Sequence, residues 1–158
     1  MSVKTLIVTV GLPRCGKSTW SKEQKAVIVN PDSVRLAVHG ERFIGRAEPW
    51  VWAISYVMAD ALFLAGHDTV IIDGTHVSKK RRDVWFNYKF SQDVKVKFKV
   101  FGDISVSECI DRARKINDDL IQPVIERMAT EWDVNNDENV KNNLYIEPGS
   151  DNTADTKS

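Results

Sequence analysis

The chain has 158 residues, 42% of them hydrophobic and 28% charged, a size and balance that suit one globular domain able to bury a core without staples. Its 22 Lys and Arg offset its 22 Asp and Glu, so no bulk attraction for nucleic acid is expected. No apolar run approaches the roughly 20 residues of a bilayer span, and the two cysteines, Cys15 and Cys109, have neither metal-ligand spacing nor the pattern of a disulfide framework.

The N-terminus runs straight into TLIVTV at 5–10 without a cleavage-site pattern, so no signal peptide is read and the expected location is the cytoplasm, away from membranes. Residues 5–10 are predicted as the first strand, followed by a helix over 16–25. AVIVN at 26–30 is the second strand, and a short helix over 32–38 follows. The helix over 49–65 places Trp50, Ile54, Val57, Met58, Ala61 and Leu62 on one stripe, read as its core-facing side. TVIID at 69–73 is the third strand, and Ser78 is the expected N-cap of a helix over 78–90. VKVKFKVF at 94–101 alternates Lys95, Lys97 and Lys99 with Val96, Phe98 and Val100, the mark of a half-exposed strand near a sheet edge. Ser105 and Glu108 form an S-x-x-E box that starts a helix through Arg114, and Pro123 opens a last helix over 123–132. Beyond Glu147 the sequence turns small and polar, so the expectation is one domain over 1–147 and a frayed tail over 148–158. Alternating Val- and Ile-rich strands and helices predict an α/β fold, a central parallel sheet with helices on both faces.

Chemistry enters at VGLPRCGKSTW, residues 10–20. Converging several backbone N–H groups on one polyphosphate requires tight turns free of side chains, which Gly11 and Gly16 supply. The strand before the loop and the helix after it are the flanks of a phosphate loop, a G-x-x-x-x-G-K-S spacing that marks the P-loop NTPase fold. Gly11, Leu12, Pro13, Arg14, Cys15, Gly16, Lys17, Ser18 and Thr19 are therefore the expected ATP-binding residues. Lys17 is to reach the β- and γ-phosphates, and Ser18 is to offer its hydroxyl to Mg²⁺. Asp73, ending a strand in TVIIDGTH, is the expected partner carboxylate for the metal, its alternative reading being an Asp-Gly turn. Cys15 lies among the loop amides that favour a thiolate, which predicts that bound nucleotide protects it from modification.

Two further segments bear on what receives the phosphate. Asp32 and Arg35 in VNPDSVR follow the second strand, where open α/β sheets bind ligands. The carboxylate can take a hydroxyl proton and the guanidinium can hold an acceptor phosphate. Equally, Asp32 or Ser33 can simply cap a helix. In CIDRARKIND, residues 109–118, Arg112, Arg114 and Lys115 end a helix and form either an Arg-rich lid over the transferring phosphoryl group or a locally favourable C-terminal charge cluster. Basic residues gather at Lys79, Lys80, Arg81 and Arg82, either a face for a polyanion or solvated surface.

Together these segments resemble the small phosphate-loop kinases grouped around the kinase domain of bacteriophage polynucleotide kinase, with zeta-toxin-type kinases more distant. The resemblance rests on G-x-P-x-x-G-K-S-T-W at 11–20, Asp32-x-x-Arg35, IIDGTHVSKKRR at 71–82, and VIERM at 124–128 after the arginine-rich stretch. It implies that Lys17 and Ser18 bind ATP and Mg²⁺, that Asp32 activates the acceptor hydroxyl, that Arg35 contacts the acceptor's phosphate, and that Arg112 or Arg114 completes the γ-phosphate site. Ile116 and Asn117 depart from the usual continuation, which leaves the lid register open. The phage enzyme's phosphatase activity is not expected here.

The leading expectation is an ATP-dependent kinase acting on a hydroxyl of nucleic acid, DNA or RNA, most simply a 5′-hydroxyl end. A hydroxymethylated base in DNA, a nucleotide or a sugar are alternative acceptors. An acceptor-independent ATP-hydrolysing module is the alternative of another class, and such a module has no need of Asp32.

Overall fold

The computed structural model describes residues 3–149. Four strands, β1 (Lys4–Val10), β2 (Val27–Val29), β3 (Thr69–Ile72) and β4 (Val94–Val100), form one sheet in the order β2-β3-β1-β4, and every pairing within it is parallel. The helices are α1 (Lys17–Glu23), α2 (Pro31–His39), α3 (Glu48–Leu64), α4 (Lys79–Asn87), α5 (Val106–Lys115), α6 (Gln122–Thr130) and α7 (Glu138–Asn142). Every strand and helix read from periodicity is present, with ends within a few residues. Among the described residues no helix is long and apolar enough to cross a membrane.

Parallel strands buried on both faces must be apolar throughout, and Leu6, Ile7, Val8 and Val10 of β1, with Val70, Ile71 and Ile72 of β3, are fully or almost fully buried. Strand β4 lies at the edge, as its alternation predicts. Its Phe98 N–H donates to Asn143 O at 2.8 Å while Phe98 O accepts from Tyr145 N at 2.9 Å, so the segment after α7 covers that edge.

The face of α3 is a correction. Trp50, Ile54, Val57, Met58 and Ala61 point outward, and only Leu62 of the expected stripe is partly buried against the core. The buried side is Val51, Trp52, Ser55, Ala59 and Phe63. With Glu48 and Asp60 its only charged residues, α3 is apolar all round, so periodicity favours no face.

The sequence predicts no element between the helix over 123–132 and the tail, yet this acidic segment holds a 3₁₀ turn (Val134–Asn136) and α7. Asp137 caps α7 by accepting from Asn139 N, and Val134 and Val140 enter the core. Asp133 and Asp137 bind the side chain of Arg82, which is fully buried and also donates to His76 O at 2.9 Å. Arg82 is therefore an internal strut and no part of a basic surface. Removing one partner of a buried ion pair strands the other in low dielectric at about 3–5 kcal/mol. Arg82→Met is accordingly expected to lower the melting temperature by at least about 6 °C, whereas Lys80→Met, on the exposed start of α4, should leave it unchanged. Equal melting of the two variants would contradict the strut.

Candidate active site

The phosphate loop connects β1 to α1 at the carboxyl end of the sheet. Arg14 and Gly16 adopt left-handed backbone, with φ of 66° and 102°, and at Gly16 a glycine carries this without strain. A Cβ on Gly11 would sit 2.5 Å from Cys15 Sγ and 3.0 Å from Phe101 Cβ, so only glycine fits there. Gly16 occupies the N-cap of α1 without any side-chain cap, which leaves the first helical amides directed into the loop. Lys17 is 7% exposed and folds inward, its Nζ donating to Leu12 O at 2.6 Å and lying 3.5 Å from Cys15 Sγ. Leu12 and Cys15 are buried beneath the loop, Pro13 is half-buried, and Arg14, Ser18 and Thr19 face solvent.

The start of α1 and the ends of β2 and β3 meet at Asp73. Ser18 Oγ donates to Asp73 Oδ2 at 2.7 Å, and Asn30 Nδ2 donates to the same oxygen at 3.2 Å. The expected metal pair, Ser18 and Asp73, is thus brought together. A hydroxyl and a carboxylate are hard oxygen donors of the kind that suit Mg²⁺, which keeps several waters and takes phosphate oxygens besides, so these two residues fit the ion and would hold it. The loop after β3 is locked to β1 by Thr9, whose Oγ1 donates to Gly74 O at 2.7 Å, and by Gly11 N, which donates to Thr75 O at 2.9 Å. His76 is wholly buried, and burial pushes its pKa down to about 4. The neutral ring accepts from Trp85 Nε1 at its Nε2 (3.0 Å) and so donates from Nδ1 to Thr9 O (2.8 Å).

Asn30 removes the capping alternative for Asp32 and Ser33. The N-cap of α2 is Asn30, whose side chain accepts from Ser33 N at 3.1 Å, with Pro31 in the first turn; neither Asp32 nor Ser33 caps the helix. Asp32 is 82% exposed at its side chain and accepts from Arg35 NH1 at 2.6 Å through Oδ1. Arg35 is also gripped from α3, its Nε and NH2 donating to the two oxygens of Glu48 at 2.9 and 2.7 Å. Burial pulls the Arg35 guanidinium down, but Glu48 and Asp32 outweigh it and hold the group above its ordinary range. Burial likewise raises Glu48, and the Arg35 guanidinium more than offsets it, leaving the carboxyl below the usual range. Glu48 was missed by sequence reasoning, because an acid in a helix's first turn reads as ordinary dipole compensation.

Of the two lid candidates, only Arg112 comes to the loop. Its NH1 donates to Arg14 O at 3.1 Å and would lie 3.9 Å from a Cβ on Gly16, while NH2 donates to Glu108. Arg114 turns away toward Gln122 and Asp111 on exposed surface, and the structure does not place it at the loop. Asp118, past the end of α5, accepts from Arg42 at 2.9 and 3.1 Å and from Arg14 at 3.2 Å. It thereby ties the phosphate loop to the segment between α2 and α3. The Arg42 hydrogen bond, outweighing partial burial, holds its carboxyl below the usual range.

A family model described as an AAA domain matches residues 6–130, a span that holds the phosphate loop, Asp73, the α2 pair and α5. The chain belongs to the AAA domain family. This AAA domain superposes with a TM-score of 0.67 on a chain from a structure of the Pnkp1/Rnl/Hen1 RNA repair complex, at 23% identity over 83% of this chain and 44% of that one. A chain from a second structure of the Pnkp1/Rnl/Hen1 complex matches at TM-score 0.60 and 30% identity, over 71% of this chain and 40% of that one. The AAA domain thus spans less than half the length of either relative. A fungal RNA kinase (TM-score 0.56, 13% identity, 98% and 80% covered) and a gluconokinase from Sinorhizobium meliloti 1021 (TM-score 0.50, 14% identity, 87% and 80% covered) share the fold. The chain is a small phosphate-loop protein whose fold is shared with an RNA kinase and a gluconokinase.

Proposed function

We propose that the protein is an ATP-dependent kinase that transfers the γ-phosphate to a hydroxyl on nucleic acid, most simply a 5′-hydroxyl end. The observation that carries this reading is the chain of contacts from Ser18 through Asp73 to Asn30. It starts the Asp32–Arg35 helix at the carboxylate that shares a hydrogen bond with the phosphate-loop serine. An ATP-hydrolysing module without an acceptor has no use for an acid and a guanidinium fixed at that point.

In this mechanism the loop amides and Lys17 bind the polyphosphate, and Ser18 and Asp73 would hold a magnesium ion, which would supply neutralising charge to the phosphates. Asp32 presents Oδ2, which has no donor among the described residues, to the acceptor hydroxyl and takes its proton. Arg112 adds positive charge at the loop, in the role proposed for a lid arginine, and Arg35 holds the phosphate beside the target hydroxyl. The fold is shared with a gluconokinase, so these side chains decide the acceptor.

Arg35 supplies the test. Arg35→Ala is expected to raise KM for an oligonucleotide acceptor at least about tenfold with little change in KM for ATP, and Arg35→Lys to recover part of the loss because bidentate geometry is gone. Acceptor KM should also rise with salt. Efficient phosphorylation of a free sugar, indifferent to salt and to Arg35→Ala, would leave the fold intact and overturn the acceptor.

Nucleotide in the loop should also shield Cys15. It is 4% exposed, packed beneath Gly11 and beside Lys17. Alkylation of Cys15 is expected to slow when MgATP is added, with buried Cys109 as the internal standard. Equal labelling with and without nucleotide would count against the loop assignment.

A further inference from the structure

Among the described residues every arginine except Arg46 and Arg81 has a carboxylate within ion-pair distance. Arg46 lies on an exposed turn, whereas Arg81 is half-buried beside the site. Its guanidinium rests on the Trp52 ring, 4.2 Å from the centroid, and the Arg35 guanidinium meets the same indole at 5.9 Å. The two cations therefore converge on one rigid aromatic plate, with Glu48 within electrostatic reach of both. Local structure fixes the placement. Arg81 N donates to Ser78 Oγ at the start of α4, and the next residue, Arg82, is locked into the core.

The charges around Arg35 bear on Arg81. Asp32 and Glu48 already offset Arg35 twice over, so an acceptor bringing a phosphate to Arg35 would enter a net negative site and be repelled. A second cation free of a carboxylate removes that repulsion, and Arg81 is the one positioned to do so. We propose that Arg81 is a second acceptor-side cation which, with Arg35 across Trp52, selects acceptors carrying a phosphate next to the target hydroxyl. This rests on the kinase reading above and deepens it, since it predicts a preference for a dianionic phosphate monoester over a phosphodiester at that position.

The test is transfer from labelled ATP to three acceptors by the wild type, Arg81→Ala and Arg81→Lys: a nucleoside 3′-monophosphate, a 5′-hydroxyl oligonucleotide, and an unphosphorylated nucleoside. Arg81→Ala is expected to raise KM about tenfold for the two phosphate-bearing acceptors, more for the monophosphate. KM for ATP, acceptor-independent hydrolysis and activity on the nucleoside should change by less than about twofold, and Arg81→Lys should restore part of the loss. A packing role alone would move all three acceptors and ATP together, and that outcome overturns the proposal. So does unchanged KM for the phosphate-bearing acceptors while the wild type transfers to them. Failure of the wild type to transfer to any phosphate-bearing acceptor overturns the kinase reading itself, and this assignment with it.

Discussion

Lys17→Met is expected to cut turnover about 10³-fold or more while the fold survives, measured as phosphate transfer beside a thermal melt. The scale is that of losing a preorganised charge at a reacting oxygen in a site screened from water. Lys17 is the loop's own cation, buried and held in the ring of the loop by Leu12 O. The other positive groups at the loop, Arg14 and Arg112, are engaged on its outer side, Arg14 by Asp118 and Arg112 by Arg14 O and Glu108, and cannot substitute. Met fills nearly the same volume, so packing under the loop is retained and only the charge and the hydrogen bonds to Leu12 O and Cys15 Sγ are lost. A variant with near-normal turnover would remove the phosphate loop from the mechanism.

Asp32→Asn has the next largest expected effect, a fall in kcat of about 10²–10⁴-fold with the melting temperature nearly unchanged. The stability half follows from geometry. Asn30 caps the helix, so Asp32 has no cap to lose. Its ion pair with Arg35 is exposed on the Asp32 side at 82%, a class of contact worth about 0–1 kcal/mol. The catalytic half follows from chemistry, since an amide keeps the shape and one acceptor oxygen but cannot take a proton. A clear loss of stability with retained turnover would reverse both halves and make Asp32 a structural residue.

What the sequence made legible was local. The phosphate loop is a contiguous string whose backbone demands are written in Gly11 and Gly16, and Asp73 ends a strand that must point to the same end of the sheet as β1. Alternation of Lys and apolar residues in β4 announced its edge position, later seen to be covered by the segment at 143–145. The readings that failed needed information from distant residues. In α3 both faces are apolar, so only the sheet beneath it selects Trp52 and Phe63 over Trp50 and Val57. Arg82 looked like the tail of a basic cluster, because its partners Asp133 and Asp137 lie about 50 residues away in an acidic stretch that reads as solvated surface. Glu48 is 13 residues from Arg35 on another helix, and Arg81 acquires meaning only when Trp52 is seen between them. Asn30 was readable in principle, as a good capping residue directly before a proline at the first helical turn.

We propose that Asp32 and Arg35 make this phosphate-loop fold a kinase of nucleic-acid hydroxyls. The most direct measurement is transfer of label from γ-labelled ATP across a panel of 5′-hydroxyl oligonucleotides, hydroxymethylated DNA, nucleosides and sugars. Label is expected on the 5′-hydroxyl oligonucleotides, abolished by Lys17→Met, strongly reduced by Asp32→Asn and weakened through KM by Arg35→Ala. Release of inorganic phosphate at the same rate with every acceptor, unaffected by Asp32→Asn and leaving no label on nucleic acid, would contradict it.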